Sequence, residues 1–111
     1  MEIVAILSTT VLPLDGLYCV RTVEGAERQE VISRLVGVPH YVGHPDTKML
    51  LESLGAIPAP TKLFEGLGVG QAAICVPIKQ GLSSRITDGF TVNQAISEME
   101  TLDVRVLVRI E

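Results

Sequence analysis

The sequence predicts a single α/β domain over residues 1–111, built as a mixed five-stranded sheet flanked by helices. Three observations carry that expectation. Residues 2–8, Glu-Ile-Val-Ala-Ile-Leu-Ser, form a nearly continuous apolar run, the pattern of a strand buried on both faces near the centre of a sheet. Residues 24–36 and 45–54 carry their apolar side chains at helical spacing instead. With 111 residues and 47% apolar side chains, the chain suits one core and leaves little room for a second. A domain of this size buries roughly two-thirds of its unfolded surface and needs no staples.

The elements follow in order. Ser8, Thr9 and Thr10 place three hydroxyls at the carboxyl end of the first strand, where open α/β sheets bind ligands; an ordinary polar strand end is the competing reading. Pro13 and Asp15-Gly16 are turn chemistry, and a second strand is expected at 17–23. Val31, Ile32, Leu35 and Val36 then recur at helical spacing against a solvated face of Glu27, Arg28, Glu30 and Arg34, and Gly37 ends that helix. A third strand at 38–42 stops at Gly43, which can take backbone angles closed to other residues. Pro45 suits the first turn of a second helix, where its missing N–H costs nothing, and Gly55 closes that helix.

Two prolines in Ile57-Pro58-Ala59-Pro60 predict a stiff extended connector outside regular structure. The alternate glycines Gly66, Gly68 and Gly70 lack the spacing, lysine and following helix of a phosphate loop, so a hairpin connection is expected there. A fourth strand follows at 71–78, with Pro77 marking an edge position or a bulge. Residues 79–90 form the longest polar connection and hold Lys79, Arg85 and Asp88. Thr91 and Gln94 make a capping box for the third helix, and the alternation of 102–110 predicts a last strand with one wetter face.

Composition restricts the function. No apolar run is long enough to span a bilayer, and Met1-Glu2-Ile3-Val4 lacks the basic start of a signal peptide, so a soluble cytoplasmic protein is expected. Cys19 and Cys75 lie in strand-like runs and read as buried reduced thiols. A net charge of −4 opposes a general binder of duplex nucleic acid, while a small anion in a locally basic pocket remains compatible. The absence of tryptophan, with two tyrosines and two phenylalanines, leaves no broad base-stacking platform.

The chemistry is expected in Tyr41-Val-Gly-His-Pro-Asp-Thr47. His44 there sits beside the unpaired N–H groups of a helix start, which favour an anion, and histidine is the side chain whose proton moves most readily near neutral pH. The competing reading is a histidine that only caps a helix. His40 and His44, four apart with Asp46 nearby, would suit a metal only on a helix, which Gly43 and Pro45 oppose. No serine or cysteine sits in a nucleophile elbow. Acid catalysis on a phosphodiester needs only a proton donor, cations and a nucleophile, which RNA supplies as its own 2′-hydroxyl; His44, Lys62 and Arg85 are of the types required.

The order Leu7-Ser-Thr-Thr10, then Val42-Gly-His-Pro-Asp-Thr47, then Thr61-Lys-Leu63, then Arg85-Ile-Thr-Asp-Gly89 resembles the archaeal-virus ring nucleases. These type III anti-CRISPR proteins and their cellular relatives degrade cyclic tetra-adenylate. The resemblance runs over nearly the whole chain, with Gly-His-x-x-Thr and Arg-x-x-acid-Gly as its specific segments. It implies a homodimer enclosing the cyclic nucleotide, with no metal or other cofactor. His44 matches the family's general acid, Arg85 its phosphate-binding arginine and Asp88 its glutamate. Lys62 falls on a second arginine and Ser8 on an asparagine, with Thr9 and Gly43 beside the ligand. Lysine keeps the charge at 62 but loses the bidentate fork, and Asp88 is one methylene shorter than glutamate. A non-catalytic nucleotide-binding or virus-structural homodimer is the alternative.

Overall fold

The computed structural model describes residues 2–8, 16–60, 64, 66–77 and 91–111. The strands are β1 (Glu2–Ser8), β2 (Tyr18–Thr22), β3 (Pro39–His40), β4 (Ile57–Pro58), β5 (Gln71–Val76) and β6 (Arg105–Arg109); the helices are α1 (Gly25–Ser33), α2 (Pro45–Ser53) and α3 (Val92–Glu100). They form one six-stranded mixed sheet in the order β2-β6-β5-β1-β3-β4. β1 runs parallel to both β3 and β5, β4 runs parallel to β3, and β6 is antiparallel to its neighbours β5 and β2. The α/β class and the interior position of the first strand are as the sequence predicts; the sheet has one strand more.

The extra strand is β4, and its position accommodates proline. The N–H groups of Ile57 and Ala59 donate to Val38 O at 3.1 Å and His40 O at 3.0 Å, so the intervening Pro58 nitrogen faces away from β3. No ladder donor is lost there, and the proline blunts the sheet edge. Pro77 has a plainer role than expected. It lies just past β5, an interior strand between β6 and β1, so it ends the strand rather than marking an edge.

Side-chain alternation sorts the core into two layers. Ala72, Ile74 and Val76 of β5 face the helix side, where they meet Leu50 and Leu51 of α2 and Ala95 and Met99 of α3, all buried. Ala73 and Cys75 face the other side with Ala5, Leu7 and Leu107, a cluster that holds no residue of the three helices. The register between β1 and β5 shifts between Ile3 and Ala5. Val4 is the additional residue, and consequently both Val4 and Ala5 pack on the helix-free side. Without that shift, Ile6 would leave the helix side and Leu7 would enter it.

Gly55 follows the end of α2 as expected, whereas α1 stops at Ser33 with Arg34 as its C-cap, and a turn carries the chain from there to Gly37. Gly37 and Gly55 adopt φ values of +77° and +96°, and the Gly37 N–H donates to Gly55 O at 2.8 Å, which ties the ends of α1 and α2 together. Gly43 does not use the freedom a glycine has, since its φ is not positive. Its backbone is open to any residue, and a Cβ there would meet nothing within 4 Å.

Two further expectations change. Cys19 is exposed, because β2 is an edge strand with little packed against either face, whereas Cys75 is buried; both thiols are free. The glycine-rich stretch before β5 does not close a hairpin, because β4 and β5 both run parallel to β1 and lie two strands apart from each other in the sheet. No helix among the described residues is long and apolar enough to cross a membrane.

Candidate functional site

The carboxyl end of β3 runs through the extended segment 41–44 into α2. This geometry follows from the sequence at that point: Pro39 opens the strand, and Pro45 takes the first helical position with φ already set for it. His44 occupies the N-cap position with φ −69° and ψ 124°, but its side chain makes no capping hydrogen bond. Its Nδ1 atom is buried and has no hydrogen-bond partner. The reading in which His44 serves only as a side-chain cap therefore loses its bond, and the imidazole is uncommitted at a position that sequence marks for chemistry.

Beside this turn lies a cleft of about 370 Å³, lined by His40, Tyr41, Val42, Gly43, Lys48 and the Pro58-Ala59 edge of the sheet. The volume is at the low end of the range for small-molecule sites. Gly43 is in the wall and His44 follows it directly, although the His44 side chain is not itself a wall of the cleft. Ser8, at the end of β1, is buried and already engaged in a polar interaction, and it does not line the cleft. Thr9, Lys62, Arg85 and Asp88 lie outside the described residues.

His40 proves to be a structural tie. Only 3% exposed, it accepts the Val42 N–H on Nδ1 at 3.4 Å, which leaves the proton of the neutral ring on Nε2. Nε2 faces Glu52 Oε1 of α2 across 3.6 Å, too long for a good hydrogen bond. The hydrogen bond to Val42 N–H fixes the start of the segment that carries His44, while Nε2 is buried without a hydrogen-bond partner. His40 stands on a strand and His44 at a helix cap, and among the described residues no group of three or more potential ligands is placed to hold a metal.

Charge in this region is unevenly committed. Asp46 and Thr47, in the first turn of α2, are buried and engaged in polar interactions, and Asp46 already brings negative charge to the helix start. Every described arginine is likewise occupied. Arg21 grips Glu27 through two bonds at 2.5 and 2.7 Å, which hold the Glu27 carboxyl below its ordinary range. Arg28 donates to Val23 O and Glu100 O, Arg105 pairs with Asp103, Arg109 donates to Leu67 O and Glu111 O, and Arg34 also has a partner. Lys48 alone among the described cations has no ion pair or hydrogen bond from its ammonium, and it lines the cleft.

Sequence reading passed over Lys48, although a signal was present. It stands four residues after His44 on the same helix face, and helical side chains lean toward the N-terminus, back over the preceding turn. A second cleft of about 280 Å³ between α1 and α3 is walled mainly by Ile32, Val36, Leu54, Val92 and Ile96, and its described walls bring together no set of groups for catalysis. Compared with known proteins, the chain matches no family model and no curated sequence.

Proposed function

We propose that the protein is a metal-independent ring nuclease that opens cyclic oligoadenylate, with cyclic tetra-adenylate the expected substrate, and so switches off type III CRISPR signalling. The observation that carries this reading is the imidazole of His44, held at the N-cap of α2 beside the cleft yet used neither as a cap nor in any hydrogen bond through Nδ1. A histidine with an uncommitted ring nitrogen, next to a small cleft at the carboxyl end of a parallel strand, suits general acid catalysis. The resemblance of the Gly43-His44 and Arg85–Gly89 segments to ring nucleases supplies the substrate class.

In this mechanism a substrate 2′-hydroxyl attacks the adjacent phosphorus, the P–O5′ bond breaks, and His44 gives its proton to the leaving 5′ oxygen. The 2′-hydroxyl proton departs to solvent, and the product is a linear oligoadenylate ending in a 2′,3′-cyclic phosphate. Arg85 and Lys62 supply charge to the phosphate and Asp88 completes the site. A two-fold homodimer matches the symmetry of the ring, since a 111-residue chain is small to surround four nucleotides alone.

Incubation with cyclic tri-, tetra- and hexa-adenylate in chelator, followed by chromatography, tests the reading. Linear fragments with cyclic-phosphate ends are expected. A shifted complex without products identifies the non-catalytic binding dimer instead, and light scattering that finds only monomer with ligand present removes the enclosing site.

A further inference from the structure

We infer that Lys48 is a phosphate-binding residue of the cleft beside His44, a role distinct from those of Lys62 and Arg85. The inference deepens the ring-nuclease reading and rests on it for the identity of the ligand, but its physical basis is independent. Among the described residues the cleft has one cationic wall residue, and the other described walls are the backbone-rich turn at Gly43, the apolar or aromatic Val42 and Tyr41, the sheet edge at Pro58-Ala59, and His40.

An unpaired ammonium at a concave site is unusual in this molecule. The five described arginines are all occupied by carboxylates, carbonyls or another polar partner, so Lys48 stands apart from the other described cations. Glu52, four residues beyond Lys48 on α2, is the carboxylate that helical spacing would offer it; that group instead faces His40 Nε2 at 3.6 Å. Asp46, the other acid of this helix, is buried and engaged. Lys48 is thereby left exposed, with its three donors available to a ligand.

The helix start does not explain an anion site by itself, because Asp46 already occupies the favourable end of the dipole. A phosphate in the cleft needs a separate positive charge, and among the described residues Lys48 is the one positioned to give it. Lys48 stands one turn after His44 on α2, and long helical side chains ordinarily lean back toward the N-terminus. A phosphate held by Lys48 in the cleft lies beside the Gly43 wall, the residue that directly precedes His44.

The test measures binding of three probes to the wild-type chain, Lys48→Gln and Lys48→Arg. The probes are cyclic tetra-adenylate, adenosine 5′-monophosphate, and adenosine as the phosphate-free control. Lys48 is exposed, so the variants should fold, and melting curves verify it. Lys48→Gln is expected to weaken binding of a phosphate probe by about ten- to a hundred-fold, the range of a hydrogen bond to a charged group, with adenosine unchanged and Lys48→Arg largely restoring affinity. The loss should shrink at high salt. Affinity of Lys48→Gln within two-fold of wild type for both phosphate probes, or no binding of either by wild type, overturns the inference. The two readings separate cleanly: a wild-type chain that cleaves the ring while Lys48→Gln binds and cleaves equally well keeps the nuclease and removes Lys48. A chain that binds phosphate through Lys48 without cleaving any ring keeps the site and removes the nuclease.

Discussion

His44→Ala and Thr91→Ala together test whether the imidazole of His44 is held for chemistry or for stability. Both residues stand at helix N-caps, but only Thr91 caps with its side chain: its Oγ1 accepts the Gln94 N–H at 3.2 Å while Gln94 Oε1 accepts the Thr91 N–H at 2.9 Å. Removing such a cap typically costs about 1 kcal/mol. With an unfolding entropy of about 2.1 cal/mol/K per residue, a 111-residue chain loses about 4 °C of Tm for that amount. His44 has no cap bond to lose. Truncating its half-buried ring sheds contact area, but it also removes a buried nitrogen with no partner, so the net change should stay within about 0.5 kcal/mol, or about 2 °C. Cleavage should fall by about 10²- to 10⁴-fold, the usual contribution of a general acid. Thermal melts and single-turnover cleavage on the same samples read both quantities. If His44→Ala lowers Tm as far as Thr91→Ala, the ring is a structural element after all. If it cleaves at the wild-type rate, the general-acid assignment fails.

Two further predictions concern the scaffold. Ile74→Ala, at a fully buried position of an interior strand facing the helices, should cost about 2–5 kcal/mol by chemical denaturation, and a loss under about 1 kcal/mol would contradict the packing described here. Burial pushes the Cys75 thiol up from its ordinary value, with the charge of Arg105 opposing. Because the folded state disfavours the thiolate, stability is unaffected below the ordinary thiol range of about 8.5 and declines as pH rises from there toward the raised folded value. The Tm of Cys75→Ala should accordingly fall less than that of wild type between about pH 7 and pH 10; parallel curves would show that Cys75 does not titrate against a buried environment.

Much of this molecule was legible locally. The nearly continuous apolar run of residues 2–8 identified an interior strand, because a strand covered on both faces is what tolerates such a sequence. Thr91 and Gln94 announced a capping box, and Pro45 and Gly55 placed the ends of α2, because these residues act through backbone angles and donors within a few positions of themselves. The turn at Gly43-His44 was found in the same way, by a strand pattern giving way to a helix pattern. What periodicity could not supply was anything set by neighbours distant in the chain. The exposure of Cys19 depends on β2 lying at the sheet edge, and the acceptance of Pro58 depends on which side of β4 meets β3. The bulge at Val4 exists only relative to the register with β5. The candidate site divides along the same line. His44 carried a sequence signal because its turn is local, whereas the isolation of Lys48 followed only once Glu52 was seen turned toward His40, a residue on another element brought near by the packing of α2 on the sheet.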